Sequence, residues 1–401
     1  MDQKLPSLLC FLIVFVISSL AHGQVTNAQT RDDGILGNGG SMPQDGDWLN
    51  NWLSGPLPGQ PVTSRNALQT NSVTWPVSPG QRAVPKRLPV QNDERKRPSL
   101  KRASSENRLY RRTDLPDMYL GVGLVASTGA TTWNHDATSS STTLGNPSSE
   151  LTYENVGTTA LEFNGGMTLR DAFFVRGAVG FGLTTGSDAN FRDDDFLAGQ
   201  TLFSSTDSVI ADSDLFYLTL DAGREIINVR DSELTLSLFA GYQYWTETYR
   251  AYGLYNRLTG SKTQADSTAV IENQVQWNSV RVGAIGTYRP NDRLEWMLDF
   301  AFVPYTAMHN EDSHLLRTAS NDLGPAPNVI MDGSGYGYEW AVGMSYLVTP
   351  RISATLDFRY WALMSDGEIT LGPNTATPSV FPLNDLDSFR YGVNAGMKYS
   401  F

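Results

Sequence analysis

Strict alternation of apolar and polar residues, sustained over segments longer than an ordinary strand, constrains this 401-residue chain most. Phe389, Tyr391, Val393, Ala395, Met397, Tyr399 and Phe401 alternate with Arg390, Gly392, Asn394, Gly396, Lys398 and Ser400. Leu294, Trp296, Leu298, Phe300 and Phe302 alternate in the same way, as do Ile352, Ala354, Leu356, Phe358 and Tyr360. Successive side chains of a strand point to opposite faces, so each segment has one apolar and one polar face. Soluble strands average ~5–6 residues, and these run well past that. Two architectures accept such strands: a soluble sandwich with its polar face in water, and a barrel with its apolar face in lipid. The 36 Gly, 17 Tyr, 17 Phe and 9 Trp favour the barrel.

The spacing predicts ten antiparallel strands, over about 117–132, 149–168, 172–186, 208–226, 233–256, 271–289, 293–310, 336–348, 351–370 and 387–401. Short turns at Leu169–Ala172, Val229–Glu233, Arg289–Arg293 and Val348–Arg351 alternate with long polar connections near 133–148, 187–207, 257–270, 311–335 and 371–387. Short turns on one side and long loops on the other match the periplasmic and extracellular ends of a transmembrane barrel. An even strand number returns both termini to the short-turn side. The terminal alternating strand ending on Phe401 resembles the signal read by the barrel-assembly machinery, which is therefore an expected partner.

Residues 1–23 read as a secretory signal peptide: Lys4, an apolar run from Leu8 to Leu20, then small residues at Ala21 and Gly23. The run is too short to span a bilayer as a helix. It holds the single cysteine, Cys10, so a disulfide framework and a cysteine metal site are both excluded. Residues 24–114 are rich in Pro, Gly and polar residues and read as a disordered extension. Its second half is basic: residues 82–112 carry eleven Lys or Arg and three acids, net +8. Such a run is either a solvated linker or a contact for anionic lipid or cell wall. Since the whole chain is −12, residues 113–401 are near −18, which makes nucleic acid a poor partner. The barrel is expected to occupy 115–401.

Chemistry must come from carboxylates and histidine. Asp193 and Asp195 sit in Arg192-Asp193-Asp194-Asp195-Phe196, and Asp312 and His314 in Asp312-Ser313-His314. On extended backbone, residues i and i+2 share a face, so each pair points one way, and both pairs fall at the same end of the barrel. A carboxylate orients a histidine as a base, and two close carboxyls retain a proton between them. Water held between the pairs would be deprotonated to attack a carbonyl. Taken singly, an Asp triplet is also a solvated charge run or a loose Ca²⁺ contact.

Residues 117–401 resemble the omptins, ten-stranded proteases of the Gram-negative outer membrane. The resemblance rests on Ser149-Glu150-Leu151-Thr152-Tyr153, on Leu183-Thr184-Thr185-Gly186-Ser187 leading into Asp193-Asp194-Asp195-Phe196, on Ala240-Gly241-Tyr242-Gln243, on Asp312-Ser313-His314 and on Tyr346-Leu347-Val348-Thr349-Pro350. It implies an aspartyl-type endopeptidase in the outer membrane, acting on peptides or proteins outside the cell. Asp193 and Asp195 would be the catalytic carboxylate pair, with Asp312 and His314 the dyad that activates water. No cofactor or metal is implied, although omptins need lipopolysaccharide as a lipid activator; Arg250 lies near the region expected to hold it but does not align with it, so no lipid site is assigned. Where omptins place acids that select basic residues, this chain has Asn310 and Thr131-Thr132-Trp133. Those departures keep a second reading in play: a non-proteolytic channel, adhesin or structural barrel on the same fold.

Overall fold

The structure, a computed structural model, describes residues 117–141, 143–169, 172–184, 189–229 and 233–401. The signal peptide, Cys10, the basic extension and Thr185-Gly186-Ser187 lie outside the described residues.

Eleven strand segments follow in order: β1 Asp117–His135, β2 Ser149–Thr168, β3 Phe173–Thr184, β4 Asn190–Leu197, β5 Thr201–Val229, β6 Leu234–Asn256, β7 Ser261–Tyr288, β8 Leu294–His314, β9 Val329–Thr349, β10 Ile352–Leu371 and β11 Ser379–Ser400. Segments β3 and β4 occupy one position in the sheet, because both lie between β2 and β5. Every neighbouring pair is antiparallel, and β1 pairs with both β2 and β11, which closes a ring of ten. Closure gives each described strand a neighbour on both sides, the condition for a sheet to cross lipid.

The apolar face points outward. Leu120, Val122 and Leu124 on β1, Leu161 and Phe163 on β2, and Phe300 and Phe302 on β8 are all well exposed. Aromatic girdles bound this band, with Trp296, Tyr346, Tyr399 and Phe401 toward the short turns and Tyr305, Tyr336, Tyr338 and Phe389 on the opposite side. At the same level the interior is charged. Glu162 is fully buried and accepts hydrogen bonds from Arg359 (Nη2–Oε1 3.0 Å), Tyr217 (2.6 Å) and Asn164 (3.2 Å). Tyr217 can lie over β3 only because Gly180 faces it, since a Cβ there would overlap its ring. Arg359→Leu would strand a buried carboxylate, at a cost of about 3–5 kcal/mol. Urea unfolding in detergent should show the single variant losing more stability than Glu162→Leu/Arg359→Leu; equal losses would remove the ion pair from the account.

Strands continue far beyond the girdle. The expected loop at 133–148 stays a loop beyond His135, but strand takes over a large part of the other four: β4 and β5 fill most of 190–207, β7 begins at Ser261, β8 runs to His314, β9 starts at Val329 and β11 at Ser379. The reason is physical. Above the lipid the outer face turns polar, so the alternation fades while the backbone ladder persists, as in Lys262-Thr263-Gln264-Ala265-Asp266. Register shifts at Asp195/Phe196, Asp207/Val209 and Val303/Thr306 bend this upper wall. Pro304 falls inside the last of them, where its missing N–H costs no ladder bond.

The hydrophobic core lies inside the upper barrel, around Trp133, Leu151, Tyr153, Phe191, Tyr249, Val275, Trp277, Met331 and Leu386. Tyr217 stacks on Trp245 (5.5 Å between centroids), which meets Trp361 (5.3 Å). These rings separate the upper end from the charged lumen below.

Candidate active site

The four sequence-derived residues converge from two walls. Strand β4 carries Asp193 and Asp195 on the inward face it shares with buried Phe191. Strand β8 carries Asp312 and His314 on the inward face of Met308 and Asn310. β2 connects the walls through residues that sequence reasoning had not assigned a role. The Tyr153 hydroxyl donates to Asp312 Oδ2 at 3.1 Å, and the Ser149 hydroxyl donates to Asp193 Oδ1 at 3.4 Å. Ser149 and Tyr153 share a strand face, so one face of β2 touches both walls. A tilted contact with Phe191 (4.8 Å) and stacking on Tyr249 (5.1 Å) fix the Tyr153 ring.

Their electrostatics are coupled. Burial, then the neighbouring Asp195, pushes Asp193 well above the usual carboxylate range, with Arg317 pulling it down and Asp312 adding to the rise. Asp195 is raised as well, by burial, against the Ser149 and Ser204 hydroxyls and Arg317. The Asp pair therefore holds a proton more readily than two isolated carboxyls would. Burial raises Asp312 to about 7, opposed by the Tyr153 hydrogen bond, and its Oδ1 has no hydrogen-bond partner. Burial and then Arg317 hold His314 down to about 3, so its imidazole is neutral. His314 Nε2 stands 4.0 Å from Asp312 Oδ1, close enough for an ionised Asp312 to strengthen it as a base.

Arg317 follows on the 315–328 connection, a second contributor that no motif announced. It forms a forked pair with Asp322 (Nη2–Oδ1 2.6 Å, Nε–Oδ2 3.2 Å), and its charge acts on Asp193, Asp195 and His314. Asn328 holds this connection in place by accepting from His314 N–H (2.8 Å) and donating to His314 C=O (3.1 Å).

The remaining described histidines lie elsewhere. His135 is buried between Trp133 and Phe381, and burial lowers it to about 4. His309 faces outward beside Asp332 (2.7 Å) and Glu311 (3.5 Å). At the positions flagged for specificity, Asn310 is fully buried with neither amide atom partnered, and Thr131 bonds Tyr249 (3.1 Å) and Ser388 (2.7 Å). The acid near Thr131, Glu247, is already paired with Arg390 at 2.5 Å.

Arg250 does not suit a lipid phosphate. It faces three carboxylates, Asp212 (3.2 Å), Asp214 (3.1 Å) and Glu272 (2.7 Å), so its surroundings are net acidic. Arg192, Arg257 and Lys262 are likewise paired with acids.

Comparison with solved structures finds the outer membrane protease OmpT from Escherichia coli at a TM-score of 0.58 and 17% identity, covering 71% of this chain and 97% of that one. OprG from Pseudomonas aeruginosa matches at a TM-score of 0.29 and 11% identity, over 71% of this chain and 96% of its own. Ail of Yersinia pestis matches at 0.24 and 10%, over 71% and 99%. No protein-family model and no curated protein matches the chain. The ring of ten antiparallel strands and the likeness to OmpT agree: this chain has the omptin-like fold of an outer-membrane β-barrel.

Proposed function

We propose that the chain is an outer-membrane endopeptidase of omptin type, exported by residues 1–23, with residues 24–114 as an extension on the short-turn side. The observation that carries this reading is the meeting of Asp193 and Asp195 with Asp312 and His314, bridged through Ser149 and Tyr153 of β2.

In this reading a water lies between His314 and the Asp pair. The His314 imidazole takes its proton as the water oxygen bonds to the scissile carbonyl carbon. The proton retained by Asp193 and Asp195 stays on the pair and is shared in a hydrogen bond to the carbonyl oxygen as it becomes an oxyanion. Asp312 stabilises the imidazolium. The C–N bond then breaks, and the imidazolium returns its proton to the leaving amine. No acyl-enzyme forms. Neutral Asn310 and Thr131 support a primary pocket that does not select basic side chains. The unsuitable surroundings of Arg250 give no support to lipopolysaccharide binding there, and no step is routed through that lipid.

A non-catalytic barrel is the competing reading. The aromatic core inside the upper barrel weighs against an open channel, leaving an adhesin or structural role as the rival. Purified protein incubated with a random peptide library decides between them. Wild type should yield new termini at a defined residue preference, and Asp193→Asn/Asp195→Asn should yield none. Equal termini from both proteins would overturn the proposal.

A further inference from the structure

Below the aromatic rings the lumen holds a cavity of about 880 Å³ that plays no part in the proposed chemistry. Its lining reaches the short-turn end at Thr168, Ala172, Asn228 and Arg289, while Tyr217 and Trp361 roof it. It is therefore a blind vestibule, entered from the end where β1 begins at Asp117 and separated from Asp193 and His314.

Its wall carries seven carboxylates and five cationic side chains. Part of that charge is matched internally. Arg176 pairs with Asp221 (2.9 Å) and Asp299 (2.5 Å), and Arg281 pairs with Glu339 (3.2 Å). Arg281 Nε also stands 3.5 Å from Asp221 Oδ1, yet the wall keeps two more carboxylates than cations, and Asp299 Oδ1 and Glu339 Oε1 are buried without a hydrogen-bond partner. Asp221 and Glu339 are both more than nine-tenths buried. Such an excess of negative charge in a recess walled by protein attracts guanidinium and ammonium groups.

Residues 82–112, eleven Lys or Arg with three acids, join the barrel at this same end. Asp221 lies eight residues along β5 from Val229, about 26 Å at ~3.3 Å per residue. Sixteen residues, 101–116, span up to ~50 Å at full extension, so the chain is long enough for Lys101 and Arg102 to meet the deep wall. Tethering holds the segment at an effective concentration near ~1 mM, so weak individual contacts suffice. We propose that the vestibule binds the chain's own basic segment, residues 82–112, whose cationic side chains enter from the short-turn end and offset the excess of carboxylates on its wall. This inference does not depend on the protease reading.

The test uses the full chain, purified in detergent, with the photo-crosslinking residue p-benzoylphenylalanine replacing Ala103. Irradiation should link position 103 to peptides of β5, β7 or β9 that line the vestibule. Changing Arg95, Lys96, Arg97, Lys101 and Arg102 to Gln, which leaves the barrel untouched, should lower that yield about tenfold or more. Crosslinks confined to the outer wall, to detergent or to a second copy would overturn the proposal. A yield unaffected by the charge changes would do so as well.

Discussion

His314→Ala is expected to slow peptide hydrolysis by about 10²–10⁴-fold while the barrel stays folded, because in the proposed mechanism it removes the group that accepts the proton of water. The size follows from what a positioned base contributes, and the preserved fold follows from the site's place above the lipid band. The pH profile adds a sharper expectation. His314 is neutral at every pH above about 3, so its own titration does not limit the rate near neutrality. Asp312, held at about 7, does titrate there, and only its ionised form supports the imidazolium. The kcat of wild type should therefore rise with pH through about 7 and flatten above it. Asp312→Asn should be slow throughout and lose that limb. A wild-type profile that falls through neutrality, or an Asp312→Asn profile that keeps the limb, would remove Asp312 from its assigned role.

The folded barrel was more legible in this sequence than its site. Phe389–Phe401 announces a lipid-facing strand because lipid on one side and a polar lumen on the other impose opposite demands on successive residues. The same logic fails at Ser261–Ala269, where water bathes the outer wall and the pattern dissolves although β7 continues. Asp-x-Asp and Asp-x-His are visible because i, i+2 geometry is local, and β4 and β8 have that geometry. Tyr153 and Asp312 are 159 positions apart, and nothing local marks their hydrogen bond. Arg317 is hidden for another reason: its influence depends on how Asn328 folds the connection back against His314.

The arrangement that would make Asp312 useful also makes it costly, and this has a measurable consequence. An ordinary aspartate titrates near 3.8, whereas burial holds Asp312 near 7 in the folded barrel. The folded state thus binds this proton more tightly than the unfolded chain. The stabilising contribution is complete below about 3.8 and is lost as pH rises through about 7. Three pKa units at ~1.4 kcal/mol each set an upper bound of about 4 kcal/mol on that loss, and local relaxation reduces it. His314 works in the opposite direction, since its lowered value costs stability as pH falls from about 6.5 toward 3. Comparing Asp312→Asn with wild type isolates the carboxyl: asparagine keeps an oxygen for the Tyr153 hydroxyl and carries no charge at any pH. The variant should therefore gain heat resistance over wild type progressively from pH 4 to pH 8, by about 2–4 kcal/mol at the upper end, while losing hydrolysis. Heat-modified gel migration over a temperature series at each pH reads the difference. A gap between the two proteins that stays constant from pH 4 to pH 8 would show that Asp312 is not held as a buried acid, and the pH dependence expected of the proposed hydrolysis would fall with it.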